Sequence, residues 1–329
     1  MRRREFIKLL GGAAAAWPFA ARSQQSSGTR RIGVLMNLPA DDAEGQARVA
    51  AFLKGLSQFG WKDGSNIKID YRWGHPDPDR IRRDAADLIE LKPEVILSSG
   101  TPTVAALHVA TSRIPIIFAQ VVDPVGSGFV DSLARPGHNI TGFSQFEYSF
   151  GGKWLELLKE IAPNIRRAAV LRDLALASGS GQFGAMQAVA PQLGVELSGV
   201  GLGSAGEIEH GIETFAGSGN GGLIVTASTL ALDHRDLIIM LAARHRLPAV
   251  YSSRYFTTVG GLISYGANSI DPFRRAAAYV DRILRGQNTS DMPVQAPVKY
   301  ELVINVKAAN ALGLSVPPSL LARADEVIE

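Results

Sequence analysis

From Arg31 onward, short runs of β-branched and aliphatic residues alternate with stretches whose apolar residues recur at helical spacing. That alternation restricts the chain to α/β architecture, with parallel sheets covered by helices on both faces. Ile32-Gly33-Val34-Leu35-Met36 reads as a first strand, and Val49, Phe52, Leu53, Leu56 and Phe59 fall on one helical stripe that Gly60 ends. Ile67 to Trp73 alternates as a second strand, Ile81, Ala85, Leu88 and Ile89 make the next stripe, and Val95-Ile96-Leu97 starts a buried strand. Further strands are expected at Ile116 to Phe118 and around Ile140. A second series opens near Gly151, with a helix through Trp154, Leu157, Leu158 and Ile161 and strands at Ala168 to Leu171, Val195 to Val200, Leu223 to Thr226 and Ala249 to Ser252. The two series echo each other: Val95 to Thr101 and Leu223 to Ser228 are both buried runs ending in small hydroxyl residues that open a helix.

The N-terminus lies outside this pattern. Arg3-Arg4-Glu5-Phe6-Ile7-Lys8, a weakly apolar run from Leu9 to Ala16, and Ala21-Arg22-Ser23 together read as a twin-arginine export signal cleaved after Ser23. Gly11, Gly12 and Pro18 interrupt the apolar run, which is shorter than the ~20 residues a membrane span requires. The chain has 34 Lys+Arg and 31 Asp+Glu, but Arg2, Arg3, Arg4, Lys8 and Arg22 belong to the signal, against Glu5 alone. Residues 24–329 therefore carry a net charge of about −1, which removes the basic surface that nucleic acid or an anionic membrane would need. The absence of cysteine excludes disulfides, thiolate metal sites, catalytic thiols and a lipid-bearing N-terminal cysteine. The expected product is periplasmic, soluble, not membrane-embedded and not lipid-anchored. Its length of about 300 residues calls for two domains.

In open α/β sheets, ligands bind beyond the carboxyl ends of the strands. That rule selects Asn37, Ser99, Gly100, Thr101, Asp123 and Thr141 in the first half, and Thr226, Ser228, Tyr251, Ser253 and Tyr265 in the second. They are mostly neutral donors and acceptors, and Thr101 and Ser228 sit where helix N-terminal N–H groups point outward, which suits a small polar ligand with a carboxylate. Each serine or threonine also has the ordinary role of a helix cap. No catalytic set accompanies them. The six histidines are scattered without metal-ligand spacing, no G-x-S-x-G elbow occurs, and Gly151-Gly152-Lys153 lacks the rest of a P-loop. Gly201, Gly203 and Gly206 fit G-x-G-x-x-G, but they follow what reads as an inner strand, and Thr226 stands about where an acidic residue should end the next strand.

In this order the chain resembles the solute-binding proteins of ABC transporters, of the type I periplasmic-binding fold, and within them the family that includes tryptophan and tyrosine binders. The matching segments are Ala40 to Gln46, Gly100-Thr101-Pro102, Asp123-Pro124-Val125, Arg135-Pro136-Gly137 with Asn139 to Gly142, and Leu247-Pro248. They continue through Gly260-Gly261-Leu262 with Ser264-Tyr265-Gly266, Tyr279 to Leu284, and Leu302 to Asn305 with Ala311-Leu312-Gly313. The segment Arg172 to Gln182 departs from the Asn-Pro or Asn-Ser turn of the aromatic amino-acid binders. The resemblance implies two doubly wound, Rossmann-like lobes joined by a three-segment hinge, with crossings near Gly142 to Ser149, Tyr265 to Asp271 and Asp291 to Pro297. Residues 31–145 with 268–293 then form one lobe and 146–267 with 294–329 the other. It further implies a monomeric, non-enzymatic protein without cofactor, which closes on a small polar solute, an amino acid or similar, and presents it to a permease and ATPase at the membrane. Asp123 could hold a ligand ammonium, and Arg254 either a ligand carboxylate or a salt bridge closing the lobes. Two alternatives are a periplasmic ligand sensor and an exported cofactor-dependent enzyme; a DNA-binding repressor of related fold is disfavoured by the signal standing where its DNA-binding domain would be.

Overall fold

A computed structural model describes residues 28–74, 77–145 and 148–329. The export signal lies outside the described residues. The first lobe is built on a parallel sheet of β1 (Arg30–Leu35), β2 (Ile67–Arg72), β3 (Val95–Ser99), β4 (Ile116–Val121) and β5 (Ile140–Ser144), in the order β2-β1-β3-β4-β5. Its helices are α1 (Ala43–Gln58), α2 (Pro78–Glu90) and α3 (Thr101–Ala110). The second lobe carries α4 (Phe150–Ile161), β6 (Arg167–Arg172), α5 (Ala177–Leu193), β7 (Glu196–Gly201), α6 (Ala205–Ala216) and β8 (Gly221–Val225). It continues through α7 (Thr229–Asp233), α8 (Arg235–Arg244), β9 (Ala249–Tyr251), α9 (Arg254–Thr258) and β10 (Ile263–Ala267). The chain returns to the first lobe as α10 (Asp271–Leu284) and ends in the second as β11 (Tyr300–Asn305), α11 (Val306–Ala311), α12 (Pro318–Arg323) and β12 (Glu326–Ile328). The second sheet has the order β12-β11-β10-β9-β8-β6-β7 and is parallel except where β11 meets β10 antiparallel, Ile263 opposite Ile304.

Strand parity decides which helices cover which face. In the first sheet Ile32, Val34, Val95, Leu97 and Ile117 pack with Phe52 and Leu56 of α1 and Phe273 and Ala276 of α10. Their neighbours Leu35, Ile96, Ile116 and Phe118 point the other way, onto Ala85 and Leu88 of α2 and Val104 and Leu107 of α3. The second sheet repeats this arrangement. Ala168, Val170, Ile224 and Val250 face Trp154 and Leu158 of α4, while Ala169, Leu171, Leu223 and Val225 face Ile208 and Ile212 of α6 and Leu241 of α8.

Three differences from the sequence reading follow from chain order. β7, read as an inner strand, is the edge of its sheet beyond β6, and Glu196 and Gly199 on it are exposed. Val294 and Gln295, assigned to the second lobe, run beside β5 instead: Gln295 exchanges backbone hydrogen bonds with Gly142 and Ser144, and Val294 packs into the first lobe's core. Only at Tyr300 does the chain enter the second sheet. The short helices α7 and α9 and the three-residue strand β12 carry too few residues to show a period.

Candidate functional site

In both sheets the strand order reverses at one point, between β1 and β3 in the first lobe and between β6 and β8 in the second. The crevices at the carboxyl ends of those strands face each other, and such switch points are where open α/β sheets bind ligands. Asn37 follows β1 and Ser99 ends β3; the Ser99 hydroxyl donates to Asn37 Oδ1 at 2.6 Å. Gly100, the N-cap of α3, has φ of +85°, and a Cβ there would sit 3.0 Å from Asn37 Nδ2, so both the backbone and the neighbour call for glycine. Thr101 then opens α3 at the rim.

Across the gap, Ser228 caps α7 by accepting from the Ala231 N–H at 3.0 Å, and Ser253 caps α9 by accepting from the Tyr255 N–H at 3.3 Å. A capping hydroxyl keeps its own proton to donate, so capping and ligand contact are compatible. Asn37, Gly100, Thr101, Ser228 and Ser253 all line one cavity between the lobes. It holds about 30 Å³, little more than a water's share, because the lobes touch. Asn37 Nδ2 donates to Thr229 Oγ1 at 3.1 Å across the cleft. At its lip, Arg235 Nη1 lies 3.1 Å from Asp42 Oδ2, and the Tyr255 hydroxyl donates to the same oxygen at 3.3 Å.

The other sequence candidates are placed elsewhere. Thr141 is fully buried and donates to the Met292 carbonyl at 2.6 Å, tying β5 to the returning chain. Thr226 is fully buried and donates to the Leu171 carbonyl at 2.8 Å, tying β8 to β6. The Tyr251 ring is in the core, stacked on Phe256 at 4.8 Å, and burial pushes its phenol far above the usual range. Asp123 turns away from the cleft, accepting from the Gly126 N–H at 2.8 Å beside the Tyr148 hydroxyl, which burial and this carboxylate together hold above its ordinary pKa. Tyr265 stacks on Phe150 at 5.1 Å near the crossings. Arg254 fits neither of its expected roles: it pairs with Glu301 and Glu326, fastening α9 to β11 and β12 inside one lobe.

The cleft also holds residues that sequence reasoning passed over, chiefly Arg48, Gln120 and Ser252. Arg48 is 2% exposed on the buried face of α1, one turn before Phe52. A charge placed on an apolar stripe was the available signal. Gln120 has φ of +61° where the β4–β5 register shifts, so strand parity could not tell which way it points.

The glycine-rich decoy carries its own anion. Glu207 accepts from the Gly203 N–H at 3.1 Å, and a Cβ at Gly201 would fall 1.8 Å from the same carboxylate, so the place a phosphate would take is filled by like charge. Among the described residues no cluster of His, Cys, Asp and Glu could hold a metal ion, and no helix is long and apolar enough to cross a membrane.

A sequence profile of the ABC transporter substrate binding proteins matches residues 32–328, nearly the whole two-lobed unit. The chain belongs to that family. Its members are substrate-binding proteins and not enzymes. A tyrosine-binding protein of Clostridioides difficile is 28% identical over 263 residues, covering 80% of this chain and 75% of that one. An ABC domain from Streptococcus pneumoniae in complex with L-Trp is 24% identical, with TM-score 0.84 over 92% of this chain and 100% of that one. The ligand-free, open structure of a substrate binding protein with adhesive properties from Clostridium difficile is 27% identical, with TM-score 0.67 over 91% and 99% of the two chains.

One acid near the lip is poised to titrate. Asp233, at the end of α7, is pushed up to about 6, first by burial and further by Asp42, against the lowering effect of Arg235. The folded protein thus holds this proton more tightly than the unfolded chain does, so stability contributed here falls as pH rises from about 4 through about 6 and is level above that. Asp233→Asn is expected to raise the melting temperature relative to the parent at pH 7.5, with the difference shrinking toward pH 4. Parallel thermal melts across that range check it; a difference constant with pH contradicts it.

Proposed function

We propose that this family member is the extracytoplasmic solute-capturing component of an ABC importer, closing its two lobes over a small polar solute by motion about three connecting segments. The contact between Asn37 and Thr229 carries this reading, because it joins polar groups at the switch points of both sheets and would have to part to admit a solute. The better fit to the L-Trp complex than to the open, ligand-free protein supports taking the described arrangement as the closed one. The ligand contacts are Asn37, Gly100 and Thr101 on one wall and Ser228 and Ser253 on the other, with Arg48, Gln120 and Ser252 added. Thr141, Thr226, Tyr251, Asp123 and Tyr265 hold the lobes and crossings together.

The twin-arginine segment delivers the protein to the periplasm as a soluble, unanchored monomer, where the closed form is presented to the permease and its ATPase. A micromolar affinity corresponds to about −8 kcal/mol, within reach of a few charge-assisted hydrogen bonds at ~1.5–3 kcal/mol each once ordering costs are subtracted. A metabolite screen by thermal shift is expected to find a solute that raises the melting temperature by several degrees. A broad screen with no shift would overturn the reading.

A further inference from the structure

We propose that Asp42, Arg235 and Tyr255 form a latch across the lip of the cleft that favours the closed lobes whatever the cavity holds, and so sets how slowly a captured solute leaves. The proposal rests on the hinge-closure reading and deepens it. The two oxygens of Asp42 have divided duties. Oδ1 accepts from the Gly45 N–H at 2.9 Å and caps α1 within the first lobe. Oδ2 takes both contacts from the second lobe, Arg235 Nη1 at 3.1 Å and the Tyr255 hydroxyl at 3.3 Å. Those two contacts are the ones that part when the lobes separate.

The second lobe presents its half of the latch already assembled. The Arg235 guanidinium lies over the Tyr255 ring, 4.6 Å from its centre, and Nη1 donates to the Leu232 carbonyl at 3.2 Å, both within that lobe. Closure then has little left to order, and a pre-organised pair keeps more of its interaction energy. Arg235 is also the first residue of α8, where the helix dipole disfavours a cation, so a carboxylate brought from the other lobe relieves it. Its neighbour Asp236 stands 3.6 Å from Nε but is 81% exposed, and such a pair contributes little. The Asp42 side chain is only 4% exposed, so its charge-assisted contacts are shielded from water.

None of the three latch residues lines the cavity, whereas Asn37 and Thr229 do. A contact that the solute does not touch favours the closed form with or without it. Where the open form predominates, any factor that such a contact adds to closing is added to the affinity as well. A second carboxylate opposes the latch. Asp233 ends α7 close to Arg235; Asp42 raises its proton affinity and Arg235 lowers it, so closure gathers two carboxylates around one guanidinium.

Single-molecule energy transfer between dyes at Ala86→Cys in α2 and Glu209→Cys in α6 reads the separation of the lobes. Both positions are exposed, and the chain has no cysteine of its own to take a label. Without solute, the parent is expected to show a closed population that Asp42→Asn lowers roughly tenfold and Tyr255→Phe roughly threefold. Asparagine still caps α1, and phenylalanine keeps the ring beneath Arg235, so both variants spare the fold. Arg235→Gln is expected to match Asp42→Asn, while Asp233→Asn raises the closed fraction. Salt at about 0.5 M should lower the closed fraction of the parent and leave that of Asp42→Asn unchanged. A parent with no closed population, equal closed fractions in parent and Asp42→Asn, or Asp233→Asn opening the lobes, overturns the latch. The further arm adds a mixture of the twenty standard amino acids together with any solute found by thermal shift. Closure of the parent by that arm, with no effect of any variant, overturns the latch alone. A separation that solute, salt and variants all leave unmoved overturns hinge closure with it.

Discussion

Trp154→Ala is expected to lower the melting temperature by on the order of 10 °C. The indole is fully buried in the second lobe, meets Phe150 edge-on at 5.8 Å, and donates its N–H to the Tyr265 carbonyl at 2.7 Å. Truncating a buried large aromatic costs about 3–5 kcal/mol, and each kcal/mol moves the midpoint of a domain this size by about 2–4 °C. Tyr265 stands on β10 just before the chain crosses to α10, so the indole also steadies one of the three connections. Trp154→Phe, which keeps a ring but loses the donor, is expected to fall between the two in parallel melts. A loss under 2 °C for the alanine variant would show that the residue is not the lobe's anchor.

Gly55→Leu is expected to destabilise the first lobe by about 1–3 kcal/mol or more, the cost of overpacking a closed helix contact. A Cβ at Gly55 would lie 2.5 Å from the Arg274 carbonyl oxygen and 2.7 Å from Ala277 Cβ, so α10 must back away from α1. α10 carries Phe273, over which the Arg48 guanidinium sits at 5.5 Å, so the strain is directed at the cleft wall as well as the core. Hydrogen exchange along α10 should rise before that of the second lobe. Gly184→Ala is the control: it sits inside α5 with open space around it, and a small gain of about 0.4–1 kcal/mol is expected. Equal effects at the two glycines would remove the close approach as the cause.

Periodicity made the strands and long helices legible because each is buried on faces its own spacing declares. Tyr300–Asn305 and the helix through Arg274 to Leu284 were readable as elements, but nothing local says that one joins the second sheet and the other packs on α1. For the helix that ownership is set by α1, more than two hundred positions earlier, and for the strand by its pairing with β10, Ile304 opposite Ile263. The lining of the cavity between the lobes was legible where backbone rules specify it, at Asn37, Gly100 and the hydroxyl residues opening α7 and α9. It was misread where a hydroxyl at a strand end is taken by a neighbouring carbonyl, as at Thr141 and Thr226, since sequence does not distinguish a threonine that ties strands from one that faces a ligand. It was missed at Gln120, where a left-handed residue breaks the strand's parity, and at Arg48, whose burial depends on a cleft made by two distant segments.

Small-angle scattering on the purified protein, with and without the solute found by thermal shift, tests hinge closure most directly. Closure predicts that the solute-free chain has a larger radius of gyration than the arrangement in which Asn37 meets Thr229, and that saturating solute contracts it to that value. A radius of gyration unchanged by a solute that demonstrably binds would contradict it.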